Sequence, residues 1–257
     1  MTVRDEMRID PAAETERIVA FIRSELEGAG VSNVVLGLSG GLDSATVAYL
    51  CARAAGAGNV FTFLMPYRTS SPASIEHAWL VVQELGLTAE RIEVTPAVDA
   101  LQGMLSGADQ RRLGNVMARV RMIVLYDQSA RHRALVAGTS NRTERLLGYT
   151  TLYGDSACGF APIGHLYKCQ VLQLAEHIGV PDDVIAKPPS ADLWEGQTDE
   201  GELGFSYDDV DWLLFNLNER DKDADALTAM GFDPNFVDQV QALVARTEFK
   251  RRMPNTP

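Results

Sequence analysis

No apolar run in this 257-residue sequence approaches the ~20 residues of a membrane span. Its start, MTVRDEMRIDPAAE, lacks the apolar core of a signal peptide, so the cytoplasm is the expected compartment and a membrane partner is not expected. Cysteine is scarce. Cys51, Cys158 and Cys169 make no CxxC pair and no zinc-ligand spacing, which points to free thiols in a reducing compartment. Basic residues are in deficit: 23 Lys and Arg against 35 Asp and Glu leave a formal charge of −12. Nucleic-acid binders carry basic surfaces, so no nucleic acid is expected as a partner, and any anionic ligand must be held by a local cluster. Two familiar phosphate-loop patterns, GxxxxGK[ST] and GxGxxG, are missing. There is no internal repeat, low-complexity tract or linker. A composition of 46% hydrophobic and 23% charged residues is ordinary for a globular chain, and the length suits one α/β domain spanning 1–257.

What is present is organised around Val34–Thr46, VVLGLSGGLDSAT. An apolar run reads as a buried parallel strand, stops in small residues, and gives way near Asp43 to a helical pattern through Ala45, Val47, Ala48 and Leu50. This strand–glycine loop–helix order makes an anion cradle. Gly40 and Gly41 permit a tight turn, and the first N–H groups of the helix face the anion. Asp43 inside that cradle would repel phosphate unless a divalent cation stood between them, and Mg²⁺ prefers one or two carboxylates plus phosphate oxygens. The bland alternative is a turn followed by an ordinary helix N-cap.

The rest of the chain alternates helix and strand. Asp10-Pro11 opens a helix whose apolar face is Ile18, Val19, Ile22 and Leu26, ending at Gly28 and Gly30. A second strand is expected over Asn59–Pro66, making a right-handed βαβ unit with the first. A helix follows over Pro72–Leu85, a short strand over Arg91–Thr95, a long helix over Asp109–Arg131 punctuated by Gly114, and a buried strand over Ala134–Gly138. The polar segment Thr139–Arg145 reads as a loop at the same sheet end as Tyr67–Pro72, where open α/β sheets bind ligands. Lys168 falls in the first turn of a helix, against the dipole preference for acids, which calls for an anion nearby. The acidic, glycine-punctuated stretch Lys187–Gly204 reads as a lid. Two helices, Ser206–Asn218 and Asp233–Phe249, close the chain before a basic tail.

The string SGGLDS resembles the pyrophosphate loop of the ATP pyrophosphatase superfamily. Four motifs in order narrow the resemblance: GLSGGLDS at Gly37–Ser44, GNVMARVRM at Gly114–Met122, GTSNRTERLLGYTTLYGD at Gly138–Asp155, and the stretch from PIGHLYKCQV through KPPSADLWEGQTDEGELGFSYDDVD to Asp211. Together they are similar to the ammonia-dependent NAD synthetases over nearly the whole chain. The resemblance implies an α/β fold with a doubly wound, mostly parallel sheet flanked by helices, Rossmann-like and of the adenine-nucleotide alpha-hydrolase type, in a homodimer. It implies a reaction in which deamido-NAD is adenylated by ATP and ammonia then displaces AMP, giving NAD. Charge neutralisation is the chief need when one anion attacks another, so no Ser-His-Asp or Cys-His constellation is required.

Carried over by position, the resemblance assigns ATP contacts to Gly37, Leu38, Ser39, Gly40, Gly41, Leu42, Asp43, Ser44, Thr139, Lys168 and Ser190. It assigns Mg²⁺ to Asp43 and Glu144, and catalysis to Asp43, Glu144 and Lys168. Deamido-NAD contacts fall on Arg119, Tyr153, Asp155 and Lys250, and Arg68 is placed near the adenine or on the surface. Three positions depart from many members: Leu152 stands for a lysine, Gly159 for an aspartate, and Phe249 for a histidine before Lys250. The chain carries no glutaminase module, so free ammonia is the implied nitrogen donor. Two other readings share the loop: a tRNA-modifying adenylating enzyme and a non-catalytic nucleotide sensor. The acidic balance and missing CxxC weigh against the first. Joint retention of Asp43, Glu144 and Lys168 weighs against the second.

Overall fold

Asp10 caps the first helix, α1 (Pro11–Gly28), its carboxylate accepting from Ala12 N and Ala13 N at 3.1 Å with Pro11 in the first turn. The chain, seen in a computed structural model describing residues 4–194, 196–254 and 256, then enters β1 (Asn33–Gly37). The glycine loop leads into α2 (Leu42–Ala55), and β2 (Val60–Leu64) follows in parallel register with β1, Val34 opposite Val60. Next come α3 (Pro72–Leu85), β3 (Thr88–Arg91), α4 (Thr95–Met104), α5 (Gln110–His132) and β4 (Ala134–Val136). The strands form one parallel sheet in the order β3-β2-β1-β4, so the chain winds outward from β1 in both directions.

Both faces of the sheet are covered, which is why β1 reads as an uninterrupted apolar run. Val34 and Leu36 join a core with Ile18 and Ile22 of α1 and Leu50 of α2. Val35 joins Phe63, Val98, Met117 and Val136 on the opposite side, under α4 and α5. The second half of the chain is helical: α6 (Arg142–Leu147), α7 (Lys168–Ile178), α8 (Asp182–Ile185), α9 (Asp199–Leu203), α10 (Tyr207–Glu219), α11 (Ala224–Ala229) and α12 (Pro234–Arg246). The α7 residues Val171 and Leu174 pack into the first core, whereas α10 and α12 build a third around Tyr207, Leu213, Leu214, Val237 and Val240.

Several boundaries differ from the sequence reading. The third strand runs Thr88–Arg91, not Arg91–Thr95; Ile92 and Val94 still bond Leu64 O and Pro66 O, but Pro96 commits Thr95 to the start of α4. The long helix is continuous through Gly114 as expected, and the missing side chain there makes room for Leu193, whose Cδ1 would lie 2.9 Å from a Cβ. Thr139–Arg145 is a loop only as far as Asn141, which caps α6. The Lys187–Gly204 stretch contains α9, capped by Thr198; Glu195 within it lies outside the described residues. Helices α4 and α11 escaped the sequence reading.

Candidate functional site

The carboxyl ends of β1, β2 and β4 open on a cavity of about 1390 Å³. That exceeds the ~300–1,000 Å³ of a site for one drug-sized ligand. Its floor is the glycine loop. Gly40 has φ +73, and a Cβ there would stand 1.9 Å from Ser74 O, so the loop lies directly against the start of α3. Gly41 differs from the expectation of a second tight-turn glycine: it is extended (φ −102, ψ 165) and serves as the N-cap of α2. With no side chain to cap it, α2 leaves its first N–H groups facing the cavity, and Asp43 sits inside the first turn. Ser39 and Ser44 hold the loop through a 3.0 Å hydroxyl contact, and Ser44 Oγ donates to Gly41 O at 3.1 Å.

Asn141 ties this loop to the next. Its side-chain amide donates to Asp43 Oδ1 at 3.0 Å, and its Oδ1 accepts from Glu144 N at 3.0 Å. Glu144 Oε2 accepts in return from Asn141 N at 3.2 Å. One asparagine therefore orients both carboxylates proposed for the metal. Lys168, only 3% exposed at the first position of α7, is ion-paired with Asp43 and lies 5.3 Å above the Tyr207 ring. Burial would lower the Lys168 pKa, but the charges of Asp43, Glu144 and Asp199 outweigh it and hold the ammonium form. Glu144 is pushed well above the usual carboxylate range, first by burial and then by the negative charge of Asp43. Burial also raises Asp199, which accepts from Tyr207 Oη at 3.1 Å and Tyr149 Oη at 3.3 Å.

The helix carrying Lys168 is anchored from behind. Asp211 of α10 accepts from Thr143 Oγ1 and from Cys169 N at 2.8 Å, while Lys168 N donates to Thr143 Oγ1 at 3.0 Å. This buried network fixes α6 and α7 relative to one another, and with them Glu144 and Lys168. Asn141, Asp199, Tyr207, Asp211 and Thr143 were all missed in sequence. The only signal was for Asn141, where Asn-x-x-Glu is a capping-box pattern.

The remaining assigned residues divide into two groups. Gly37, Leu38, Thr139, Ser190, Asp155 and Lys250 line the cavity with the loop. Ser190 Oγ donates to Gln197 O at 2.7 Å, and Lys250 Nζ donates to Gly148 O and Thr150 O at 2.7 and 2.6 Å. Asp155 Oδ1 accepts from Thr151 N at 2.7 Å at the cavity edge. Arg119 and Tyr153 stand outside. Arg119 donates to Leu152 O at 3.2 Å from an exposed face of α5, and Tyr153 is 58% exposed with φ +59. Arg68 is engaged on the surface by Asp99 and lies over the Tyr67 ring, away from the cavity.

The donor set suits a hard cation. Asp43, Glu144 and Asp199 crowd around the single ammonium of Lys168, and the burial and Asp43 charge that hold Glu144 towards its protonated form would be offset by a cation between them. Among the described residues no three His, Cys, Asp or Glu side chains converge on one metal position. The carboxylates of Asp43 and Glu144 alone fit a cation that completes its shell with ligand oxygens.

The family model described as NAD synthase matches residues 14–254. The NH(3)-dependent NAD(+) synthetase of Chlorobaculum parvum is 51% identical over 249 residues, covering 97% of this chain and 90% of the relative. That of Fusobacterium nucleatum is 47% identical over 237 residues, 92% of either chain. Among solved structures, the NH3-dependent NAD synthetase of Campylobacter jejuni superposes with a TM-score of 0.85 at 37% identity, over 97% of this chain and 100% of that one. The NMN synthetase of Francisella tularensis gives 0.85 at 29% identity, over 97% and 99%. A match of this extent, on a fold whose glycine loop and paired carboxylates meet at one cavity, is decisive: the chain belongs to the NAD synthase family.

Proposed function

We propose that the chain is an ammonia-dependent NAD synthetase: it adenylates the nicotinate carboxylate of deamido-NAD with ATP and replaces AMP by ammonia. The observation that carries the reading is the meeting of Asp43, Glu144 and Lys168, residues from three separate motifs, at the N-terminus of α2, where Asn141 bridges the two carboxyl groups and Lys168 pairs with Asp43. In the first step a carboxylate oxygen attacks the α-phosphorus of ATP, and the bond to the β-phosphate breaks to release pyrophosphate. In the second, ammonia attacks the acyl carbon, the bond to AMP breaks, and nitrogen loses a proton. The free N–H groups of α2 orient the phosphates, with a dipole contribution of roughly 0.3–1 kcal/mol rising to ~2 kcal/mol where solvent is excluded. Lys168 keeps its charge in the closed site and offsets part of the repulsion between the two anions. Asp43 and Glu144 would hold Mg²⁺, which when bound neutralises phosphate oxygens.

Asp155 and Lys250 line the cavity, whereas Arg119 shares an exposed face of α5 with Ile123, 60% exposed, and Tyr126, 41% exposed. An apolar exposed face carrying the expected dinucleotide ligand supports a homodimer in which Arg119 serves the partner's site. Among the described residues no helix is long and apolar enough to cross a membrane, and the free cysteines support a reducing, cytoplasmic setting. The whole chain is read as one synthetase domain. Incubation with ATP, Mg²⁺, ammonium and deamido-NAD should yield NAD and AMP in equal amounts. Faster amidation of nicotinate mononucleotide, the competitor raised by the Francisella likeness, would overturn the substrate assignment.

A further inference from the structure

Lys187 leaves α8 at the start of the long segment and reaches back across the cavity to the first turn of α3, where its Nζ donates to Ser74 Oγ at 2.6 Å. Ser74 is 4% exposed, and its carbonyl is the group against which Gly40 packs. The ammonium of Lys187 is thus held beside the glycine loop, on the α3 side, whereas Lys168 approaches the same loop from the α7 side. The two lysines are not equivalent. Lys168 is committed to Asp43 and faces two further carboxylates. Lys187 is half-buried, lines the cavity, and among the described residues has no carboxylate within ion-pair distance; Asp192 acts on it only from further away. Burial lowers its pKa, the sign of an ammonium that has lost water without gaining a counterion. Hydrogen-bonded only to a hydroxyl, and among the described residues with no carboxylate within ion-pair distance, the half-buried ammonium beside the glycine loop can take an anionic ligand as its counterion.

We infer that Lys187 is a second phosphate-binding cation of this site, holding the pyrophosphate portion of ATP and the pyrophosphate product from the side of the loop opposite Lys168. The inference rests on the reading of the cavity as an ATP site and adds to it a residue assigned no role by its motif. Asp192, five residues further along, accepts from Ser71 N at 3.0 Å and so holds the same segment against the start of α3.

The test is calorimetric titration of inorganic pyrophosphate, with Mg²⁺ present, into the wild type and the Lys187→Met, Lys187→Gln and Lys187→Arg variants, alongside thermal midpoints of the ligand-free proteins. A lost charge-assisted contact should weaken pyrophosphate binding roughly 10- to 100-fold in the Met and Gln variants, and Arg should restore much of it. The ligand-free midpoint of Lys187→Met should not fall, because an uncompensated charge has been removed; Lys187→Gln, which can still bond Ser74, separates the charge from the hydrogen bond. Undiminished pyrophosphate affinity in both neutral variants would overturn the role of Lys187 while leaving the ATP site intact. A wild type that fails to bind pyrophosphate would overturn the ATP-site reading as well.

Discussion

Replacing Lys168 by Met should destabilise the ligand-free protein more than any other single change in the site. The substitution keeps the apolar stem but removes the one ammonium among Asp43, Glu144 and Asp199, at a position only 3% exposed. Removing one partner of a buried ion pair costs about 3–5 kcal/mol, chiefly because the other charge stays desolvated. Protonation of Glu144, already favoured by burial and by Asp43, recovers part of this, so the lower end of the range applies. For a chain of this size each kcal/mol moves the melting midpoint by about 2–4 °C, which sets the expected drop at roughly 6–12 °C. Asp43→Asn should cost less, since Lys168 would keep Glu144 and Asp199. Thermal denaturation followed by circular dichroism measures both. Millimolar Mg²⁺ should recover part of the loss in Lys168→Met and none in the Asp43→Asn/Lys168→Met double variant. A Lys168→Met midpoint within ~2 °C of the wild type, or a larger loss in Asp43→Asn, would show that the carboxylates do not depend on this lysine.

Gly40→Ala should be worse than its size suggests. It places a Cβ 1.9 Å from the Ser74 carbonyl oxygen at a left-handed φ, so α3 must shift; the strain is about 1–3 kcal/mol before the steric term, and pyrophosphate affinity should fall with stability in the same titration. Asp211 gives a pH signature. Burial lifts its pKa from 3.8 to about 6 despite bonds from Thr143 and Cys169, so its stabilising contribution is present below pH ~4 and is lost as pH rises through 6. At neutral pH the ionised form therefore costs about 3 kcal/mol, and the stability of Asp211→Asn relative to wild type should rise by that order between pH 4 and 7 in urea denaturation. A difference that is flat with pH would refute the shift.

The sheet was legible because its strands are buried on both faces and so read as short apolar runs between amphipathic helices. The boundaries of β3 and α4 were not, because Thr88–Arg91 is a largely polar edge strand whose sequence carries no alternation. Within the site, the glycine loop, Glu144 and Lys168 were legible as motifs. Their convergence was not: Asn141 and Asp43 are 98 residues apart, Lys168 and Asp43 125. Asp199 sits in a run of acids that reads as a solvated lid, yet α9 turns it under Tyr149 and Tyr207. Arg119 and Tyr153 were legible only as motif residues, and the structure places both on exposed faces outside the cavity.

Exchange of labelled pyrophosphate into ATP tests the central claim most directly, because it isolates carboxylate activation from amide formation. With Mg²⁺ and deamido-NAD present and ammonia absent, the chain should catalyse exchange, and Asp43→Asn should reduce it by orders of magnitude. Exchange that proceeds without deamido-NAD, or that only another carboxylate supports, would contradict the account.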